Sequence, residues 1–140
     1  MPRPKVSELK QFLDEASVTY IVQKCSLAIE DQWLRQFSQP LKRATGHYKS
    51  GKFKWHTFSG GYYPSVSGDE AIDLYLAQRP SEFIIFDENP SYLFTCEGSA
   101  YPDLSDLGSD LYVCHISFKW TMAFTHEQPW LGPYFATTPN

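Results

Sequence analysis

Four runs rich in β-branched and aromatic residues follow one another late in the chain, and they constrain the fold more than any other feature. They are EFIIF, SYLFTCE, LYVCHISF and KWTMAFTHE, which begin at residues 82, 91, 111 and 119. Such residues favour strands, and the sequence DENP between the first two runs is typical of a tight turn. The first two runs therefore predict a β-hairpin, and the last two predict two further strands with a turn near Ser117.

The first forty residues instead have the periodicity of helices. Apolar residues recur at helical spacing over residues 7–16, so this segment is predicted to form an amphipathic helix. A second helix is predicted over residues 26–40, where Trp33 lies on the apolar stripe and Pro40 is expected to end the helix. The β-branched stretch between them, residues 17–22, could form a short strand.

Two further segments lie before the β-rich runs. KFKWHTF, residues 52–58, alternates in the period-two pattern that predicts a strand with one buried face. SGDEAIDLYLAQRP, residues 67–80, predicts a third helix, because Ser67 and Glu70 have the spacing of a capping box. Helices placed mostly before adjacent strands indicate an α+β fold. We expect one domain over residues 1–140, with about three helices packed on a mostly antiparallel sheet of four to six strands.

No stretch of the sequence has the composition of a membrane span or a secretion signal. No apolar run approaches the roughly 18 residues of a membrane helix, and no apolar stretch follows the basic N-terminus. The cysteines Cys25, Cys96 and Cys114 are odd in number and far apart, without the CxxC pairs of a zinc site. We therefore expect a cytoplasmic protein with free, mostly buried thiols, no bound metal and no cofactor.

Two blocks of the sequence resemble small bacterial single-domain proteins of unknown function. They are WHTFSGG, which begins at Trp55, and WTMAFTHEQPWLGPYF, which begins at Trp120. Some proteins of this kind are encoded in genomic surroundings suggestive of toxin immunity. The resemblance implies a bacterial cytoplasmic protein with an α+β fold, and it brings no catalytic residues with it.

The histidines do not form a recognisable catalytic motif. THE contains half of the zinc-binding motif HExxH, but Trp130 occupies the position of the second histidine. His126 and Glu127 are also neighbours on a predicted strand, where adjacent side chains point to opposite faces. We therefore assign no catalytic residues and expect that the protein is not an enzyme. A small enzyme that uses His56, His126 or Glu127 for acid and base catalysis is an alternative.

The segment after Glu127 combines two prolines, a glycine and several aromatic residues. We interpret it as a rigid turn that fastens the end of the chain onto the domain. The aromatic residues expected to pack there are Trp130, Tyr134 and Phe135.

The two parts of the chain differ strongly in charge. Residues 1–58 hold ten Lys and Arg against five Asp and Glu, whereas residues 59–140 hold two against eleven. Residues 82–110 contain no basic residue, and Tyr92 and Tyr112 lie within or beside this segment. An acidic, tyrosine-bearing surface results if these turns lie on one side. The predicted partner-binding residues are Asp87, Glu88, Glu97, Tyr101, Asp103, Asp106 and Asp110.

An acidic surface with aromatic anchors suits a basic protein partner, because complementary charge speeds the encounter. The leading interpretation is a cytoplasmic immunity protein that neutralises a basic toxin such as a nuclease. The alternative is a nucleic-acid-binding domain that uses the basic residues of segment 42–54. The sequence pI of about 5.5 argues against nucleic acid as the partner. The basic and aromatic residues of that segment, together with the adjacent Trp55, are Lys42, Arg43, His47, Tyr48, Lys49, Lys52, Phe53, Lys54 and Trp55.

Overall fold

Seven strands form one antiparallel sheet in the computed structural model, which describes residues 6–24, 27–49, 51, 53–89 and 91–139. The strands are β1 (Thr19–Gln23), β2 (Val66–Ser67), β3 (Phe83–Asp87), β4 (Leu93–Glu97), β5 (Leu111–His115), β6 (Trp120–Phe124) and β7 (Tyr134–Thr137). The helices are α1 (Val6–Glu15), α2 (Leu27–Phe37), α3 (Gln39–Thr45), α4 (His56–Ser59) and α5 (Gly68–Leu76). A short 3-10 helix spans Ser105–Leu107. None of the described helices is long and apolar enough to cross a membrane.

The strand order β1-β4-β3-β5-β6-β7-β2 determines which loops meet at each end of the sheet. Phe83 pairs with His115 across β3 and β5, and Asp87 pairs with Leu111 at the other end of the same two strands. In β6 and β7, Trp120 pairs with Thr137. The sheet therefore has two ends. We call them the His115 end, where β6 begins and β7 finishes, and the Asp87 end, where β6 finishes and β7 begins.

Both faces of the sheet are covered. Helices α1 and α5 and the loop after β4 pack on one face, where the core includes Leu13, Tyr75 and Ile85. Helices α2 and α4 pack on the other face, around the fully buried side chains of Trp33 and Phe86. Alternate residues of β3 enter the two cores, so all five of its residues are buried. This double burial explains why the central strands are continuously apolar in sequence.

The predicted α+β class is confirmed, although the seven strands exceed the expected range of four to six. The predicted hairpin is formed by β3 and β4, and the next predicted pair is formed by β5 and β6 with its turn at residues 116–119. The short strand predicted over residues 17–22 is β1. The strand β7 was not anticipated, because the sequence LGPYF has the composition of a turn.

Three local predictions were wrong. Pro40 does not end the helical region but lies in the first turn of α3, where its missing N–H group is not required. Ser67 precedes α5 and pairs with Tyr134 as part of β2, but its side chain makes no capping hydrogen bond. Residues 53–58 of the segment that was predicted to be a strand do not form one, because α4 begins at His56, whereas Lys52 lies outside the described residues.

Cys96 and Cys114 are buried and free, whereas Cys25 lies outside the described residues. Burial raises the pKa of each of these two thiols to about 12. In a Cys25→Ser variant at pH 8, we expect the folded protein to react with a thiol reagent on the order of a thousandfold more slowly than the unfolded protein. Labelling followed by mass spectrometry, with and without guanidinium, measures this ratio. Equal rates would show that the thiols are accessible.

Candidate functional site

A buried lysine lies at the Asp87 end, between α2 and the end of β3. The Lys54 ammonium is fully buried, and its Nζ is 3.0 Å from Glu30 Oε2 and 3.0 Å from Glu88 Oε2. It also donates a hydrogen bond to the Glu88 carbonyl oxygen. The backbone N–H of Lys54 donates to both carboxylate oxygens of Glu88, at 3.0 and 2.9 Å. One cation therefore holds two carboxylates that belong to separate elements.

Tyr112 on β5 extends this group toward the next strand. Its hydroxyl donates to Glu88 Oε1 and accepts the backbone N–H of Trp55 at 3.0 Å. Burial, and then the negative charge of Glu88, raise the pKa of Tyr112 well above its ordinary value. The phenol therefore keeps its proton and acts as a donor to Glu88. The indole N–H of Trp55 in turn donates to Asp110 Oδ1 at 2.9 Å.

Asp110 also holds a histidine. His126 Nδ1 is 2.9 Å from each Asp110 carboxylate oxygen, and the His126 backbone N–H donates to Oδ1 at 3.1 Å. The contact follows from the topology, because Asp110 precedes β5 and His126 follows β6, which are neighbouring strands. A carboxylate only accepts hydrogen bonds, so it places the proton on Nδ1 and leaves Nε2 as an acceptor when the ring is neutral.

The expectation that His126 and Glu127 point away from each other is wrong. Strand β6 ends at Phe124, so both residues lie in the following turn rather than on the strand. His126 Nε2 is 3.9 Å from Glu127 Oε2. His126 and His56 also contact the same aromatic ring, since the Phe53 centroid lies 4.8 Å from His126 and 5.8 Å from His56. The structure thus gathers the three residues of the predicted acid–base alternative in one region.

Residues 125–132, which we call the Trp130 loop, lie between β6 and β7. Hydrogen bonds within the loop hold its conformation. The Thr125 N–H donates to Gln128 Oε1 at 2.9 Å, and the Leu131 N–H donates to the Glu127 carbonyl at 3.0 Å. Gly132 has a φ of 95°, and a Cβ at this position would come within 2.8 Å of the Thr125 side chain. The close approach of the two ends of the loop therefore depends on this glycine.

The tip of this loop exposes a tryptophan. The Trp130 side chain is 87% exposed, so the prediction that it packs onto the domain is wrong. Tyr134 and Phe135 are buried as predicted, because they form part of β7 and contribute to the two cores. These two rings, together with the hydrogen bonds of the loop, fasten the C-terminal segment. Trp130 is left free to contact solvent or a partner.

The seven predicted partner-binding residues do not share one surface. Glu97, Asp103 and Asp106 are exposed, whereas Asp87, Glu88, Tyr101 and Asp110 are buried. The expected exposure of the tyrosines is wrong as well, because Tyr92, Tyr101 and Tyr112 are core residues. Among the exposed carboxylates, Glu97 ends β4 at the His115 end.

Two of the predicted carboxylates lie beside the Trp130 loop. Asp103 and Asp106 flank Ser105, whose hydroxyl accepts a hydrogen bond from Gln128 Nε2 at 3.2 Å. The half-exposed Glu127 belongs to the loop itself. We call these three carboxylates and Trp130 the acidic loop surface. The feature that the sequence did not reveal is the exposure of its tryptophan.

The basic segment 42–54 does not present a continuous binding face. Lys54 and Trp55 are fully buried, and Lys52 lies outside the described residues. Lys42 and Arg43 are exposed on α3, where Lys42 Nζ lies 4.6 Å from the centroid of the Tyr48 ring. One cation and one stacking ring that the nucleic-acid interpretation requires are therefore unavailable to a nucleic acid. Within the described part of the chain, no cluster of three or more His, Cys, Asp or Glu residues could hold a metal ion.

The fold and the site define an α+β protein with one antiparallel sheet that is covered on both faces and carries an acidic loop surface at one end. The chain belongs to the family described as "Domain of unknown function (DUF4275)", whose profile matches residues 11–135. The match includes both Lys54 and the Trp130 loop. Searches of curated proteins and of solved structures found no match.

Proposed function

We propose that this is a non-enzymatic cytoplasmic binding protein of the bacterial immunity type, which neutralises a basic toxin through the acidic loop surface. The observation that carries the proposal is the 87% exposure of Trp130 at the tip of a loop held by internal hydrogen bonds. Tryptophan is enriched among the residues that dominate interface energies. An exposed tryptophan on an ordered loop gains contact area without the cost of ordering the loop on binding.

The charge around Trp130 indicates the chemistry of the partner. Asp103 and Asp106 flank the residue that contacts the loop, and Glu127 lies within the loop. The whole chain has a formal net charge of −4, so long-range attraction also favours a basic protein. A nuclease offers a basic cleft that binds phosphates, and an acidic protein inserted there would exclude its substrate. The sequence resemblance to proteins from immunity-like genomic surroundings supports the same partner class.

We expect Trp130→Ala to weaken binding of a toxin domain encoded beside its gene by about thirtyfold or more, because a central interface tryptophan contributes about 2 kcal/mol or more. The melting temperature should change by less than about 2 °C, since the side chain makes little contact with the domain. Calorimetric titration with the purified toxin domain measures the first effect. Ile21→Ala is a matched control, because Ile21 is 71% exposed on the distant strand β1.

The charge contribution is tested by the double variant Asp103→Lys/Asp106→Lys. We expect slower association and a loss of salt dependence, while folding is retained because both side chains are exposed. Glu8→Lys/Asp73→Lys changes the net charge equally on exposed helix positions and should bind nearly normally. Normal toxin binding by the Trp130→Ala variant would contradict the proposal, as would an equal effect of the two charge reversals.

A second candidate function is acid–base catalysis, which the contact between Asp110 and His126 favours. A carboxylate that orients a histidine and leaves Nε2 as an acceptor is the arrangement of a general base. His56 Nδ1 lies 3.1 Å from Ser59 Oγ nearby, and both histidines contact Phe53. Chromogenic ester and phosphodiester substrates test this function. Turnover that disappears in His126→Asn would support it, and turnover that persists in this variant would exclude it.

A further inference from the structure

A cavity of about 530 Å³ opens at the His115 end, opposite the Trp130 loop. It lies where β3 and β6 begin and where β5 and β7 finish. Side chains from several of these elements line it, so its shape is determined by the sheet. The residues that matter for its chemistry are Arg79, Ser81, His115, Lys119, Trp120 and Thr138.

Both basic residues of the acidic segment 59–140 line the cavity. Arg79 and Lys119 are the only Lys or Arg residues after Lys54, against eleven Asp and Glu in residues 59–140. Both nevertheless line this cavity. In the part of the chain that the structure describes, neither forms an ion pair with a carboxylate. Two cations without a protein counter-ion therefore face the same space.

Two neutral donors accompany these cations. His115 Nδ1 accepts the Ser117 backbone N–H at 2.9 Å, so the proton of the neutral ring is on Nε2. Burial and then the charge of Lys119 lower the pKa of His115, which favours this neutral form. Trp120 is only 4% exposed, and its indole N–H has no acceptor among the described residues. Trp33 and Trp55, by contrast, each donate to a side chain.

We propose that this cavity binds a small organic phosphate. A phosphate group has three oxygens that separate donors can reach, and guanidinium, ammonium and imidazole N–H groups supply such donors from different elements. The cavity volume lies within the usual range of about 300–1,000 Å³ for small-molecule sites, and it exceeds what a phosphate group alone would fill. The exposed Pro80 provides apolar surface for the organic part. This proposal does not depend on the acidic loop surface.

Two carboxylates beside the cavity lower its affinity for an anionic ligand. Glu82 and Glu97 line an adjacent cavity of about 210 Å³, which shares Pro80 and Ser81 with the larger one. Their negative charge opposes an anionic ligand without blocking the space. Neutralising Glu82 should therefore tighten phosphate binding, whereas neutralising Arg79 or Lys119 should weaken it.

The experiment is a titration of the full-length protein with phenyl phosphate, inorganic phosphate and phenol, followed by the NMR signals of the His115 ring and the Trp120 indole N–H. We expect saturable shifts with phenyl phosphate, weaker binding of inorganic phosphate and no binding of phenol. Arg79→Gln and Lys119→Gln should each raise the Kd for phenyl phosphate about tenfold. Glu82→Gln should lower it about twofold. Lys10→Gln on α1 makes the same charge change at an exposed position that does not line the cavity, and it should leave the Kd unchanged.

Three results would overturn the proposal. The first is the absence of shifts at His115 and Trp120 when phenyl phosphate is in millimolar excess. The second is equal weakening by Lys10→Gln and Lys119→Gln, which would indicate general charge screening. The third is that phenyl phosphate binds no more tightly than inorganic phosphate, which would indicate an adventitious ion only. Circular dichroism of each variant verifies that the fold is retained.

Discussion

Lys54→Ala is expected to lower the free energy of unfolding by about 3–5 kcal/mol, because the variant leaves two carboxylates near the core without their cation. The Lys54 side chain is fully buried, and the Glu30 and Glu88 side chains are only 18% and 9% exposed. Water therefore cannot replace the ammonium effectively. Equilibrium unfolding in urea, followed by tryptophan fluorescence, measures the loss.

Two further variants distinguish the effect of losing the ion pairs from the effect of losing side-chain packing. Lys54→Met/Glu88→Gln removes the cation and one of the two carboxylates while it preserves volume, so we expect it to lose less stability than the sum of the single variants. Lys10→Ala, on the exposed side of α1, should change the free energy of unfolding by less than about 0.5 kcal/mol. A loss below about 1 kcal/mol in Lys54→Ala would show that the buried charges are solvated in solution.

Asp110→Ala is expected to cost about 3 kcal/mol or more, because one carboxylate accepts hydrogen bonds from the Trp55 indole and from both the ring and the backbone of His126. The same change should loosen the Trp130 loop at its first turn. We therefore expect faster hydrogen exchange at the His126 amide and weaker binding of the proposed toxin partner, although Trp130 itself is unchanged.

Asp103→Ala is the matched control for this experiment, since Asp103 lies in the same long loop but is exposed. Its free energy of unfolding should stay within about 0.5 kcal/mol of the original. Asp110→Asn should recover part of the stability, because an amide oxygen can still accept from one of the donors. If Asp110→Ala and Asp103→Ala proved equally stable, the contacts of Asp110 would not fasten the loop.

The strands of the central sheet could be predicted because their sequence signal is local. Each of the runs that begin at residues 82, 91, 111 and 119 is rich in residues that suit a pleated surface, and each forms a strand. The strand β7 has no such signal, because two prolines and a glycine surround it. Its place beside β6 depends on pairing with a neighbour rather than on its own residues. The order of the seven strands was likewise not predictable from local patterns.

The chemistry of the Asp87 end could not be predicted because its partners are distant in sequence. The acidic run from residue 82 to 110 contains no basic residue. Such a composition is typical of turns that are exposed to solvent. Its carboxylates Glu88 and Asp110 are nevertheless buried, because Lys54 and His126 reach them from 34 and 16 residues away. Charge counts along the chain describe composition, whereas burial depends on which strands become neighbours. The exposure of Trp130 likewise depends on how the loop between β6 and β7 folds, which its composition does not show.

Long-range hydrogen bonds hold the segment around Lys54 and Trp55, and they affect the order in which the protein folds. Its backbone N–H groups are bound by Glu88 and by Tyr112, which are separated from them by 34 and 57 residues. The Trp55 indole similarly depends on Asp110, 55 residues away. Contacts with such long sequence separation close large loops and form slowly. We therefore expect this segment to reach its native conformation only after β3 and β5 have paired, as the last stage of assembly at the Asp87 end.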